Sequence, residues 1–363
     1  MQFRVDGVRM FDGRSHRPFT GVSYTAIEEV QVQTGGFNAE YGNLRSGLVN
    51  VSLKDGPRNR YTFDVLARYE PPNEPYSGPI SFNDDASYFK RPYLDDPDIP
   101  NDVDPAYVGT KADDGSLWDQ YDRVQYPNWD GWNEYAETHS PELTPEQWQE
   151  VFRHYHRKDF EIKDPEYTID GSIGGPVPVV SDPLGDLRFF VSYRQDQNPY
   201  EIPMFRENQM DRLGRLKLTS NVGYGMQLEV QGMLATYRGH QVSSNIIGNA
   251  YTHVIGFEHM FFSDSAYPLQ DIDHQMLGGE LTHTLSPNTF YEIKVNRMQS
   301  DYLIRRPPER DNETIVKSVG PLELTEAPFG WGSAEQTEPS PTGMLLGGVY
   351  SSNYDTSSAQ QWN

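Results

Sequence analysis

The sequence predicts an all-β-dominated fold, in which a small glycine-rich N-terminal region precedes about seven long antiparallel strands. Three observations carry that expectation. The 363 residues include 23 Tyr, 17 Phe, 31 Gly and 27 Pro but only 36% apolar residues, a composition of strands and turns rather than packed helices. Apolar and polar residues alternate with period two over several stretches, giving each stretch one apolar and one wet face. Long and short connections alternate between those stretches.

Residues 1–56 are predicted to form a small mixed domain with tight turns. Ile27-Glu28-Glu29-Val30-Gln31-Val32-Gln33 alternates and then breaks at Gly35-Gly36; a second run, Leu48 to Leu53, ends at Lys54-Asp55-Gly56. Longer strands are expected near 60–70, 166–175, 186–195, 212–220, 225–238, 274–285 and 289–304. Their apolar sets include Tyr61, Phe63, Val65 and Ala67; Leu187, Phe189, Val191 and Tyr193; Met226, Leu228, Val230 and Leu234; Leu277, Leu281 and Leu285; and Tyr291, Ile293 and Val295. The intervening positions, such as Asp64, Ser192, Glu229, Glu280 and Lys294, are polar.

The connections are expected to run long after the first strand, short through Pro176-Val177-Pro178, and medium through QDQNPYEIPMFRENQ. A tight turn at Asn221-Val222-Gly223, a long loop from Gly239 to Ile272 and a turn at Pro287-Asn288 follow. Short turns at one end and long loops at the other are the habit of outer-membrane barrels. Tyr61, Tyr224 and Tyr291 near one end, and Tyr69, Tyr193, Tyr237 and Tyr302 near the other, would form aromatic girdles. Tyr237 and Tyr302 have the wrong parity unless a bulge intervenes. Within the first long loop, Thr144-Pro145-Glu146-Gln147 is a capping box, and Trp148, Val151, Phe152 and Tyr155 form a helical stripe behind it.

Composition also excludes classes. A net charge of -23 without a basic cluster argues against nucleic-acid binding. The absence of cysteine removes disulfides and thiolate metal sites. No run approaches the roughly 18 apolar residues of a membrane helix, which says nothing against a barrel. Residues 1–13 carry no leader pattern, so either the chain is cytoplasmic or Met1 is not the natural start; the strands favour the second reading.

The segment IEEVQVQTGGFNAEYGNLRSGLVNVSLKDG closely resembles the end of the plug domain of TonB-dependent outer-membrane receptors. The matching positions are Glu29, Gly36, Ala39, Glu40, Gly42, Ser46, Gly47, Val49, Asn50, Ser52 and Lys54. Val5-Asp6-Gly7-Val8 resembles the plug's strand and turn. DGSIGGPVP followed by DLRFFVSYR resembles the second and third barrel strands of the large nutrient-receptor branch, of carboxypeptidase-regulatory-like type. The helix after Thr144 is similar to that branch's first-loop helix.

The resemblance implies a plug end over 1–56 and the first barrel strands over 57–363, with extracellular loops near 70–165, 239–272 and 305–363. It implies an outer-membrane location in a Gram-negative bacterium and lipid contact. It also implies TonB-coupled import of a large extracellular glycan, peptide or chelate, and a surface lipoprotein as a further partner. Neither the family's TonB-contact segment nor a signal peptide precedes residue 1, and the strand count is low for a closed barrel, so the chain is expected to be a fragment.

Gly35, Gly36, Gly42 and Gly47 are expected to permit positive φ and close backbone approach in a compact insert. Glu40 and Arg45 either contact polar wall residues or are solvated turn charges. Trp118, Tyr121, Tyr126, Trp129 and Trp132 either stack on a ligand's sugar rings or peptide side chains, or build the loop's own core with the helix. Asp95, Asp96, Asp98, Asp102, Asp104, Asp113 and Asp114 lack calcium-loop spacing, which favours a solvated acidic loop. His154 and His156 face apart on a helix, so no shared metal is expected. No catalytic set or cofactor motif stands out. The rival expectation is a soluble secreted all-β glycan-binding module.

Overall fold

The structure, a computed structural model, describes residues 2–10, 21–35, 47–73, 136–137, 142–155, 161–200, 204–240, 268–305, 313–325 and 355–362. Four short strands come first: β1 (Gln2–Val5), β2 (Val8–Arg9), β3 (Ile27–Gln33) and β4 (Leu48–Leu53). They form a mixed sheet of order β2-β1-β4-β3, in which only β1 and β4 run parallel. Asp6 and Gly7, at φ 47° and 74°, make the tight β1–β2 turn; two left-handed residues in succession are what a two-residue hairpin requires.

The long strands follow: β5 (Thr62–Glu70), β6 (Glu166–Pro176), β7 (Arg188–Pro199), β8 (Asn208–Gly223), β9 (Met226–His240), β10 (Leu269–Ser286) and β11 (Thr289–Arg305). A hairpin, β12 (Ile315–Val319) with β13 (Leu322–Thr325), precedes β14 (Asp355–Trp362). The eight-stranded sheet is antiparallel throughout, in the order β14-β11-β10-β9-β8-β7-β6-β5. All seven expected long strands are present, and the fold is all-β dominated.

Several strands are longer than their alternation predicts. Most of QDQNPYEIPMFRENQ is ladder, since β7 runs to Pro199 and β8 starts at Asn208, and β9 and β10 shorten the following loop to 241–268. The cause lies in one register row: Ile169, Gln195, Arg212, Thr236, Asp273 and Asp301 stand opposite one another in turn. From that row onward the apolar face becomes mostly polar, so the alternation fades while the hydrogen-bond ladder continues. β14, DTSSAQQW, falls in the span expected to be loop and carries no alternation that reveals it. The β8–β9 turn lies at Tyr224-Gly225 (φ 52° and 76°) rather than at Asn221–Gly223, where the register shifts.

The two faces of the large sheet are inverted relative to a water-soluble layer. Phe63, Ile173, Val191 and Leu216 stand opposite one another in turn, as do Phe189, Leu218 and Val230, and Leu228, Leu281 and Ile293; directly opposed residues share a face. This face is bare, with Phe63 76%, Leu277 66% and Leu234 64% exposed. The opposite face carries Asp170, Ser192, Gln231, His274, Asn296 and Ser300, all buried. Tyr237 and Tyr302 belong to that second face, because no bulge interrupts β9 or β11 near them; both drop out of the expected girdle.

The small sheet packs on the polar face. Val5, Val8, Met10, Ala26, Val51 and Leu53 from the N-terminal residues meet Phe190, Leu213, Met233, Ala235, Met276 and Met298 from the large sheet. Outside this core, α1 (Pro145–Tyr155) begins with the expected capping box: Gln147 N donates to Thr144 Oγ1, and Thr144 N donates to Gln147 Oε1. The Thr144 hydroxyl and the first-turn backbone hold the Glu146 carboxyl below its ordinary value.

The β6–β7 connection closes on Gly185 (φ 69°), where an added Cβ would lie 1.8 Å from the Asn221 carbonyl oxygen. At Gly35, by contrast, an added Cβ meets nothing within 4 Å among the described residues. Gly185→Ala is therefore expected to cost about 2–3 kcal/mol from left-handed strain and displacement of β8. Gly35→Ala should be neutral; denaturant unfolding checks the pair.

Candidate functional site at the interface of the two sheets

Polar chemistry concentrates where the small sheet meets the large one. A 3-10 turn, Tyr24–Ala26, leads into β3, and its own N-cap residue Ser23 makes no capping bond from its side chain. The cap comes from β6 instead. Fully buried Asp170 accepts from Ser23 Oγ at 2.8 Å, Thr25 Oγ1 at 2.6 Å and Thr25 N at 3.2 Å through one oxygen. Its other oxygen accepts from Tyr24 N at 2.7 Å. Such a carboxylate is stable in a buried site because charged hydrogen bonds replace its water.

Arg194 stands directly opposite Asp170 on β7. Its Nη1 donates to the Val22 carbonyl at 2.9 Å and its Nη2 to Tyr24 Oη at 3.0 Å, with the guanidinium carbon 4.1 Å from the Tyr24 ring centre. Asp196 pairs with Arg194 at 2.5 Å. Ser172 Oγ donates to the Thr25 carbonyl. The turn is thus held by three neighbouring polar-face positions, Asp170 and Ser172 of β6 and Arg194 of β7.

A second cluster seats the Asp6-Gly7 turn. Lys217 of β8 lies 2.7 Å from Asp55, 3.4 Å from Glu229 and 3.8 Å from Asp6. Lys294 of β11 donates to the Asp6 carbonyl at 2.9 Å and pairs with Glu280 at 2.5 Å. Between the clusters, Arg215 is buried against the sulfurs of Met10 and Met233, and its Nε and Nη1 have no hydrogen-bond partner. The interface is therefore mixed: an apolar centre flanked by carboxylates, lysines and arginines. At the short-connection end, the linker residues Lys54 to Arg58 and Arg60 line a cleft of about 520 Å³ with Arg188 and Phe190. A Cβ at Gly56 would lie 2.1 Å from the Phe189 carbonyl oxygen, so only glycine lets the linker cross there.

Gly35, Gly47 and Asn50, among the residues singled out in the sequence, fall within the described residues. Gly47 makes the expected close approach: its carbonyl accepts from Gln2 N, and a Cβ would sit 3.3 Å from the Gln33 carbonyl oxygen. Gly35 does not, with nothing within 4 Å of an added Cβ. Asn50 pairs with Arg4 and Gln31 in the middle of the small sheet. Gly36, Ala39, Glu40, Gly42, Arg45 and Ser46 lie outside the described residues, as do Trp118, Tyr121, Tyr126, Trp129 and Trp132 and the acidic stretch 95–114. The helical stripe is half seen: Val151 is buried and Trp148 packs against the same small core.

Asp170, Arg194 and Lys217 were not singled out by sequence reasoning, and Lys294 was named only as a polar position of its strand. Their only signal is parity, since each is a polar residue on the non-apolar phase of its strand. Parity alone does not separate Asp170, which is buried, from Asp64, which is exposed and paired with Lys54 at 3.1 Å.

Asp170→Asn keeps the shape but cannot accept all four donors, and is expected to destabilise the chain by about 2–4 kcal/mol. Asp64→Asn should change stability by no more than about 0.5 kcal/mol. Urea unfolding of both variants compares them. Lys217→Met strands three carboxylates and is expected to cost about 3 kcal/mol in the same assay.

Comparison of the chain with family models, with curated proteins and with solved structures returned no match.

Proposed function

We propose that the chain contributes the end of a plug and a sector of barrel wall to a TonB-dependent outer-membrane transporter. The observation that carries this reading is the inversion of the large sheet: exposed aliphatic and aromatic residues on one face, buried polar residues on the other. Each large apolar side chain left in water forgoes about 1.5–3 kcal/mol. A bare face of this extent is unfavourable in water and favourable against lipid.

The dimensions agree with that reading. Leu277 to Leu285 on β10 covers about 27 Å of strand at about 3.4 Å per residue, or about 20 Å of height at a tilt of about 40°. The single cation opposite Leu277, Arg297, donates to Gln299 at 3.4 Å, on the way toward the polar row; a long basic side chain reaching for the interface behaves this way. Tight turns join β8 to β9 and β10 to β11, while the long connections leave from the opposite end.

In this reading the small sheet is the stopper. The long connections face outward and bind a large glycan, peptide or chelate, with a surface lipoprotein as a further partner. Energy from the TonB complex displaces the stopper, and the polar face it leaves becomes the wet wall of a path. The mixed interface suits that task, because its charged groups can be rehydrated when the sheets separate.

Two measurements test the proposal. Secreted into the periplasm, the chain should fractionate with outer membranes and float with lipid. A soluble, monomeric product that needs no detergent would instead support a secreted binding module. Leu277→Arg should lower stability in lipid by about 2–4 kcal/mol, whereas Gln275→Arg, one row nearer the polar end, should cost about 1 kcal/mol or less.

A further inference from the structure

Helix α1 lies in the connection between β5 and β6, and hairpin β12–β13 lies in the connection between β11 and β14. In the sheet order, β6 and β11 are separated by about 24 Å, counting each strand spacing as about 4.8 Å. Both connections leave from the same end of the sheet: Glu70 stands opposite Glu166, and Ile304 opposite Asp355. Elements anchored toward opposite edges nevertheless meet. Val151 of the helix is buried with Val319 and Leu324 of the hairpin, and Trp148 and Leu322 pack against them.

The meeting is specific in its polar contacts and its fit. His154 Nε2 donates to the Thr325 carbonyl at 2.8 Å, and Lys317 pairs with Glu150 at 2.7 Å. At the hairpin turn, Gly320 (φ 57°) presses on the helix entrance: a Cβ there would lie 2.9 Å from the Leu143 side chain and 3.1 Å from that of Gln147.

We propose that α1 and β12–β13 form one strap across the long-connection end of the sheet, and that its opening controls access to the polar face. The claim that a large extracellular ligand is what passes beneath it rests on the transporter reading; the bridge itself does not. The strap has its own apolar cluster, separate from the core between the sheets. A small satellite core opens at lower free energy than the main one, so the strap can part while the sheets stay together. Its Glu150–Lys317 pair is solvent-exposed and adds little to closure.

The absence of native cysteine makes the test direct. In the full chain, Glu150→Cys with Lys317→Cys is treated with a short bismaleimide. An intramolecular product joining the two sites is expected, and it should be lost on adding Val319→Asp. Separately, Asn198→Cys, on the polar-face phase of β7, is labelled with a charged water-soluble maleimide. Labelling should quicken about tenfold with Val319→Asp if the open state holds about a tenth of the population at rest. Lys317→Glu, which sets like charges against Glu150 and leaves the apolar cluster intact, should give a smaller rise and guards against simple misfolding of the hairpin. No cross-link, or a cross-link with labelling indifferent to both variants, overturns the strap. A chain that cross-links and gates labelling yet fails to float with lipid keeps the strap and removes the transporter reading.

Discussion

The structure depends on one constraint: the polar face of the large sheet has to be covered by something that satisfies its hydrogen bonds. Asp170 and Ser172 are withdrawn from water, and an apolar partner would leave them without bonds at a cost of about 1–3 kcal/mol each. The small sheet answers with exposed backbone and hydroxyl groups rather than with a greasy surface. The 3-10 turn at Tyr24–Ala26 brings its free N–H groups to Asp170, and the Asp6-Gly7 turn brings a carbonyl and a carboxylate to Lys294 and Lys217. The apolar core between the sheets supplies adhesion, while the charged rims supply register.

That division has a functional consequence. An interface built only from methionine and valine would separate at a full hydrophobic cost. One flanked by ion pairs and charged hydrogen bonds exchanges protein partners for water as it opens, so its net strength is modest for its area. Arg215, set between two methionine sulfurs with two of its nitrogens unbonded, is the least satisfied group in this region and weakens it further.

Much of the large sheet was legible in the sequence because its alternation is enforced by two different surroundings. Leu228-Glu229-Val230-Gln231 reads as strand for the same reason that one side ends bare and the other covered. Legibility stopped where the surroundings became alike. Beyond the row of Gln195, Arg212, Thr236 and Asp273, the outer face becomes mostly polar, and the ends of β7, β8 and β10 look like loop although the ladder continues. β14 was hidden for the same reason.

The interface was less legible, since a contact between Ser23 and Asp170 depends on how two distant segments dock. Nothing local in DGSIGGPVP marks its aspartate as a cap for a turn nearly 150 residues earlier. Of the four glycines expected to approach other backbone closely, Gly36 and Gly42 lie outside the described residues; among the described residues an added Cβ would meet the Gln33 carbonyl at Gly47 and nothing within 4 Å at Gly35.

The most direct measurement is a nitroxide scan along β9, residues 226–236, in reconstituted lipid, comparing collisions with dissolved oxygen and with a water-soluble nickel chelate. The account predicts a two-residue oscillation in oxygen accessibility, with maxima at Leu228, Val230 and Leu234 and no matching nickel maxima there. Equal exposure of those positions to the nickel reagent, or an oscillation in the opposite phase, would contradict it.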